Sequence, residues 1–230
     1  MLLHSKSCYI NGTLTERIKM EYKAAIIADE VQENIVIPNT GGRTYIAKKE
    51  NTGYDEDQVF TNEVFPKEIS GIFIGFTEID SKAYPVYVLD VISKDLFVCG
   101  NKGYNNIIKI TYGICDSLLY QNRDDILLAR SIKDSDLEFF NYRKEPLTYW
   151  LASRKSSHDK NKYWSYNRCS VRSVWYGKVK ENLLFEMADN INLLASDREY
   201  TYNYPIRPVV VLNSQITDIE KRSDYRWIDA

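Results

Sequence analysis

Two apolar runs of strand type constrain this fold more than any other feature. Thr148-Tyr149-Trp150-Leu151-Ala152-Ser153 and Ile206-Arg207-Pro208-Val209-Val210-Val211-Leu212 are too short for helices and rich in β-branched and aromatic residues. That is the pattern of strands buried on both faces. Pro205 and Pro208 restrict pairing at the start of the second run. Together with the span between them, the runs carry three of the four Trp in the chain. The expectation is a frame of two strands displaying the intervening segment.

The rest of the chain divides readily. Thr13-Leu14-Thr15-Glu16 fits a capping box. Leu14, Ile18, Tyr22, Ala25 and Ile26 then fall on one face, which predicts an amphipathic helix over 13–33 suited to docking or oligomerisation. Residues 35–66 are rich in turn signals. Residues 71–78, 84–91 and 96–99 read as an antiparallel meander. A helix follows, with Ile107, Ile110, Ile114 and Leu118 on its apolar stripe. A second helix is expected from Ser131 or Asp134, including Leu137, Phe139 and Phe140. Residues 154–162 read as a polar loop, and 163–166, 169–175 and 183–187 as strands. Residues 196–203 read as a Tyr-bearing loop. The division is an N-terminal segment 1–34, a domain 35–213 and a polar tail 214–230.

Charge and composition exclude several classes of function. Net charge is −2 with both signs interspersed, so no basic face for nucleic acid is expected. No apolar run is long enough to span a membrane. Leu2-Leu3 is followed at once by His4-Ser5-Lys6-Ser7, so no signal peptide is expected. The four Cys (Cys8, Cys99, Cys115 and Cys169) form no C-x-x-C pair, and the only His are His4 and His158. No metal site follows from that set, and no cofactor is expected. The acids around Asp55 lack the spacing of a calcium loop. His158 lies in the polar loop without an oriented partner in sequence, so no catalytic residue is assigned. Tyr is the excess, at 18 residues. Tyr, Trp and Arg bury large areas while keeping a polar handle. The expected binding face is therefore Tyr163, Trp164, Tyr166, Asn167, Arg168, Trp175, Tyr176, Tyr200 and Tyr202.

Five short motifs follow one another along the chain. They are Gly103-Tyr104-Asn105-Asn106, Ala129-Arg130-Ser131-Ile132, Tyr149-Trp150-Leu151-Ala152-Ser153, Val171-Arg172-Ser173-Val174 with Gly177, and Arg207-Pro208-Val209-Val210-Val211-Leu212. In this order they resemble domains of prophage and cell-surface proteins of Gram-positive bacteria. Those domains are similar to the C-type-lectin fold, which is shared by phage receptor-binding tips, retroelement variable proteins and formylglycine-generating enzymes. The resemblance covers residues 35–213. It implies an α+β, C-type-lectin-like fold of small antiparallel sheets flanked by two helices, preceded by the amphipathic helix. Trp150 would sit in the core, and Arg207 would satisfy backbone carbonyls.

The same resemblance implies a non-enzymatic structural or receptor-binding component of a phage, prophage or phage-derived particle. Such a chain would be made in the bacterial cytoplasm, carried in the virion, and display residues 154–203 to a protein or surface ligand of a bacterial host. A homotrimer, or docking to other particle proteins through residues 13–33, is the implied assembly. The chain departs from sugar-binding lectins of this type, since Glu145-Pro146 is followed by Leu147 and no Trp-Asn-Asp is present. Two alternatives remain beside this reading. One is a formylglycine-generating-enzyme-like oxidase or other enzyme, for which Cys169 has no neighbouring Cys. The other is a host-directed effector that binds a bacterial defence protein.

Overall fold

The computed structural model describes residues 34–38, 45–47, 58–60, 68–92, 96–160, 164–190, 193–213 and 226–229. The helix expected over 13–33 and the tail over 214–225 lie outside these residues. The strands are Asn34–Pro38 (β1), Tyr45–Ala47 (β2), Gln58–Phe60 (β3), Glu68–Ile79 (β4), Lys82–Leu89 (β5) and Leu96–Cys99 (β6). Helix Gly100–Gln121 (α1) follows, then Ile126–Ser131 (β7), Thr148–Lys160 (β8), Trp164–Trp175 (β9) and Lys178–Asn190 (β10). Leu193–Glu199 (β11), Thr201–Tyr204 (β12) and Pro208–Leu212 (β13) complete the set.

Five strands form one antiparallel sheet in the order β1-β4-β5-β13-β7. A second sheet is the meander β11-β10-β9-β8, and β12-β6 and β2-β3 make two small pairs. Strand β13 lies between β5 and β7, and its three consecutive valines follow from that position. Val209 and Val211 join Tyr84, Val86 and Val88 of β5 in one core, whereas Val210 joins Tyr87 and Leu89 in the other. A strand alternates its side chains between faces, so a sheet covered on both sides demands an unbroken apolar run. Helix α1 covers the second face through Ile107, Ile110, Ile114 and Leu118, all at most 1% exposed.

Both runs expected as strands form them, β8 in the meander sheet and β13 in the five-stranded sheet, and an isolated bridge joins them. Trp150 and Ile206 form a parallel bridge, with the Trp150 N–H donating to the Pro205 carbonyl at 3.0 Å. Ile132 ties both sides together, its N–H donating to Arg207 O at 3.1 Å and its carbonyl accepting from Ala152 N at 2.7 Å. Trp150 is fully buried.

The lectin-like α+β architecture with two flanking helices does not hold. The chain is dominated by thirteen strands, and α1 is the one α-helix among the described residues. The second predicted helix is instead a six-residue 3-10 turn, Asp134–Phe139, followed by another at Tyr142–Lys144. The Asp136 carboxylate explains the short turn. It accepts from Lys133 N at 2.7 Å and pairs with the buried Arg130 guanidinium at 2.7 and 2.8 Å. These contacts close the turn tightly and bind it to β7. The expected polar loop over 154–162 is also corrected, because β8 runs on to Lys160 and stays paired with β9 through the Lys160–Ser165 position. The expected loop over 196–203 contributes to β11 and β12. No helix among the described residues is long and apolar enough to cross a membrane.

Candidate functional site

A cleft of about 990 Å³ opens between the 3-10 segment and strands β1, β4, β9 and β10. Phe139, Phe140 and Tyr142 line it together with Ile72 and Phe73 of β4, and Arg172 and Val179 contribute from β9 and β10. The aromatic wall is backed by Arg207. Its guanidinium lies 5.0 Å from the ring centroids of both Phe140 and Tyr149, and its Nε donates to Leu89 O at 2.7 Å. Both terminal nitrogens of Arg207 pair with the Glu145 carboxylate. Arg207 is 1% exposed, and a charge so deeply buried is tolerated only when it is paired and hydrogen-bonded. Burial pushes the Tyr149 hydroxyl up to about 12, with the nearby Arg207 charge opposing the rise.

Charged groups brace one side of the cleft. Arg172 pairs with Asp134 and lies 3.6 Å from Glu181, which pairs with Lys155 at 2.8 Å. Lys155 holds the Glu181 carboxyl below its usual range. Asp134 Oδ1 and Arg172 Nε are closed to solvent and lack hydrogen-bond partners among the described residues, and the pair joins the 3-10 turn to β9 where both residues line the cleft. Arg143 and Arg226 also line the cleft and are exposed; the Arg143 guanidinium lies 5.8 Å from the Tyr142 ring and Arg226 donates to Phe139 O at 2.8 Å.

The β9–β10 turn sits beside the cleft. Tyr176 N donates to Leu147 O at 3.1 Å. Gly177 takes φ 72°, and a Cβ there would lie 2.5 Å from the Arg143 carbonyl oxygen. Glycine is therefore required both by the left-handed backbone and by the close approach. Tyr176 also has positive φ, at 47°. The turn presents Trp175 and Tyr176 edge to face at 5.2 Å, 40% and 62% exposed, with Lys180 Nζ 3.2 Å from the Trp175 ring centroid.

The predicted site residues do not converge. Tyr163 lies outside the described residues. Trp164 begins β9 opposite Asn190. Tyr166, Asn167 and Arg168 are on the distal part of β9, roughly 23–30 Å along the strand from Trp175. There Arg168 pairs with Glu186 at 2.6 Å and lies 5.5 Å from the Tyr166 ring. Tyr200 is held by its backbone, through bonds to Leu184 O and from Gly100 N. Tyr202 packs on the core and stacks with Tyr204, which meets Trp150 at 4.7 Å. None of them lines the cleft; Trp175 and Tyr176 are the nearest in sequence to Gly177, which approaches the backbone of the cleft residue Arg143. Phe139, Phe140, Tyr142 and Arg143 were not expected as site residues, although their dense aromatic run before Pro146 was a visible signal.

His158 has partners that the sequence did not disclose. Its Nδ1 lies 2.7 Å from Asn167 Oδ1 and its Nε2 3.3 Å from Ser165 Oγ. This is the relation of nucleophile, base and orienting group used in acyl transfer. The three residues share one face of the β8–β9 ribbon, and residues 154–160 of β8 are all exposed. Open water weakens the stabilisation of a developing oxyanion, which works best in a water-excluded site.

No family model, curated protein or solved structure matches the chain. Among the described residues no group of three or more His, Cys, Asp or Glu is placed to hold a metal ion. Cys99, Cys115 and Cys169 are free, and burial pushes the Cys169 thiol up, away from the reactive thiolate.

Proposed function

We propose that this chain is a non-enzymatic binding component of a phage, prophage or phage-derived particle that engages a protein or surface ligand of a bacterial host. The observation that carries the binding reading is the exposed Trp175–Tyr176 pair, fixed by its turn against the Arg143 backbone beside the aromatic cleft. Rigid aromatics bury area on binding at low entropic cost. A pre-formed cleft with a few polar groups suits a ligand surface. The particle half of the reading rests on the ordered motifs between Gly103 and Leu212.

The test has two arms. Mass spectrometry of purified particles from the source should detect the chain, and its absence there would end the particle reading. Labelled protein should bind host cells, with Trp175→Ala/Tyr176→Ala binding at least about ten-fold more weakly. Undiminished binding by that variant would remove the cleft and turn as the binding surface. Retention of the chain by one host protein in a pull-down, without particle incorporation, would favour a host-directed effector.

The Ser165–His158–Asn167 geometry supports one second reading, a serine hydrolase. A fluorophosphonate probe decides it. Labelling of Ser165 that is lost in His158→Ala would establish the hydrolase; an unlabelled chain removes it.

A further inference from the structure

Residues 226–229 lie against β4. The Phe76 N–H donates to Arg226 O at 2.9 Å, and the Ile228 N–H donates to Phe76 O at 2.8 Å. The backbone of β4 is shaped for this contact. Its register shifts between Phe73 and Gly75, and a Cβ on Gly75 would lie 2.5 Å from Arg226 O. Only glycine lets the two backbones come this close. Trp227 and Ile228 anchor the segment in the two cores, with Ile228 at 5% exposed in the same cluster as Leu137.

Both ends of this segment reach the 3-10 turn that lines the cleft. Arg226 Nη1 donates to the Phe139 carbonyl, at the end of the turn, at 2.8 Å. At the other end the Asp229 carbonyl accepts from Arg130 Nη2 at 2.9 Å, and the same guanidinium holds the Asp136 carboxylate that closes the turn. Arg226 itself lines the cleft. We propose that residues 226–229 are a strap that sets the cleft wall. Docked, the strap holds the 3-10 turn in place; released, it frees the turn and opens the Arg226 side of the cleft.

Release is a local event. The strap meets β4 in an isolated bridge at Phe76, whereas β13 is paired on both sides. Twelve residues separate Asn213 from Arg226, a length that can extend to roughly 45 Å. Val211 and Gly75 both pair with Val86, so the strap lies three strand spacings, about 14 Å, from β13. The connection is long enough for the strap to leave without unpairing β13. Segments held by few backbone bonds open below the global free energy of unfolding. A ligand that needs the open cleft then binds in proportion to the fraction of chains that are open. The strap acts on the wall whether or not the cleft engages a host ligand, and the test reads the wall directly.

That test is amide hydrogen exchange on the full chain, read by NMR. Ile228→Asp places a charge where the strap enters its core. Exchange should speed up at least about ten-fold at Phe76, which bonds to the strap, and at Lys133 and Asp136, whose amides are bonded within the turn. Residues 209–211 of β13 should stay as slow as in the parent. Ile228→Ala should give the same pattern at smaller amplitude, which keeps the test open if the charged variant does not fold. Acceleration confined to Phe76 would show that the strap does not set the wall, and equal acceleration in β13 would make the segment part of the global fold. Either result overturns the proposal.

Discussion

The indole N–H of Trp150 donates to the carbonyl oxygen of Leu96 at 2.9 Å. This bond joins the meander sheet to the β6–β12 pair. The backbone of Trp150 reaches the segment leading into β13 through the bridge to Ile206. Trp150 therefore ties the meander sheet to the β6–β12 pair by its side chain and to the segment leading into β13 by its backbone. Trp150→Ala should cost about 3–5 kcal/mol in urea unfolding. Trp150→Phe should cost roughly 1–3 kcal/mol more than its lost area alone predicts, because Leu96 O loses its partner. Unchanged stability with lost binding would make Trp150 a ligand residue instead.

Arg207 should behave as a buried, fully committed cation. Arg207→Met leaves Glu145 and Leu89 O without their partner and removes the support behind Phe140. The expected loss is roughly 3–5 kcal/mol. Arg207→Lys should not rescue it, because an ammonium lacks the planar fork that pairs with Glu145 while lying over the Phe140 and Tyr149 rings. Thermal denaturation of both variants checks this.

Tyr149 sets an alkaline limit. Its hydroxyl keeps its proton in the folded chain to about pH 12, whereas the unfolded chain releases it near pH 10. The folded state binds more protons in that window, so stability falls as pH rises through it. The contribution is complete below about pH 10 and amounts to about 2–3 kcal/mol before it is lost. Tyr149→Phe should flatten stability between pH 10 and 12 in chemical denaturation; a slope equal to the parent would assign the loss to other groups.

Gly177→Ala should act on the turn alone. The added methyl meets the Arg143 carbonyl oxygen and the backbone is left-handed, so the cost is on the order of 1–3 kcal/mol. Amide exchange should rise at residues 175–178 and 143–147 ahead of the five-stranded sheet. Tyr176→Ala, whose side chain is 62% exposed, should change stability by about 0.5 kcal/mol or less.

Strand β13 and the main helix were legible because burial imposed a period. Val209-Val210-Val211 can only serve a strand covered on both faces, and the isoleucines of α1 recur every three or four residues. The distal half of β8 was not legible, since Arg154-Lys155-Ser156-Ser157-His158-Asp159-Lys160 contains no apolar residue. Its strand state comes from ladder bonds to β9 and from cross-strand pairs such as His158 with Asn167, which exist only after pairing. Phe139 and Phe140 were read as a helix face, but Asp136 is committed to Arg130 and Lys133 and closes a shorter turn. The cleft wall was hidden for the same reason. Of the expected binding face, Trp175 and Tyr176 lie next to the Gly177 turn that abuts Arg143, while Tyr202 is half-buried against the core and stacked on Tyr204.

The place of β13 also governs the order in which the molecule can be made. β13 fills the gap between β5 and β7, and β7 has no other strand partner among the described residues. The bond from Arg207 to Leu89 spans 118 residues of chain, a closure that is slow to find. A nascent chain halted before Pro208 would hold a sheet that stops at β5, with that strand's edge open and β7 without a partner. Such a state invites chaperone capture or edge-to-edge aggregation, so yield of folded protein should depend on how soon those five residues arrive.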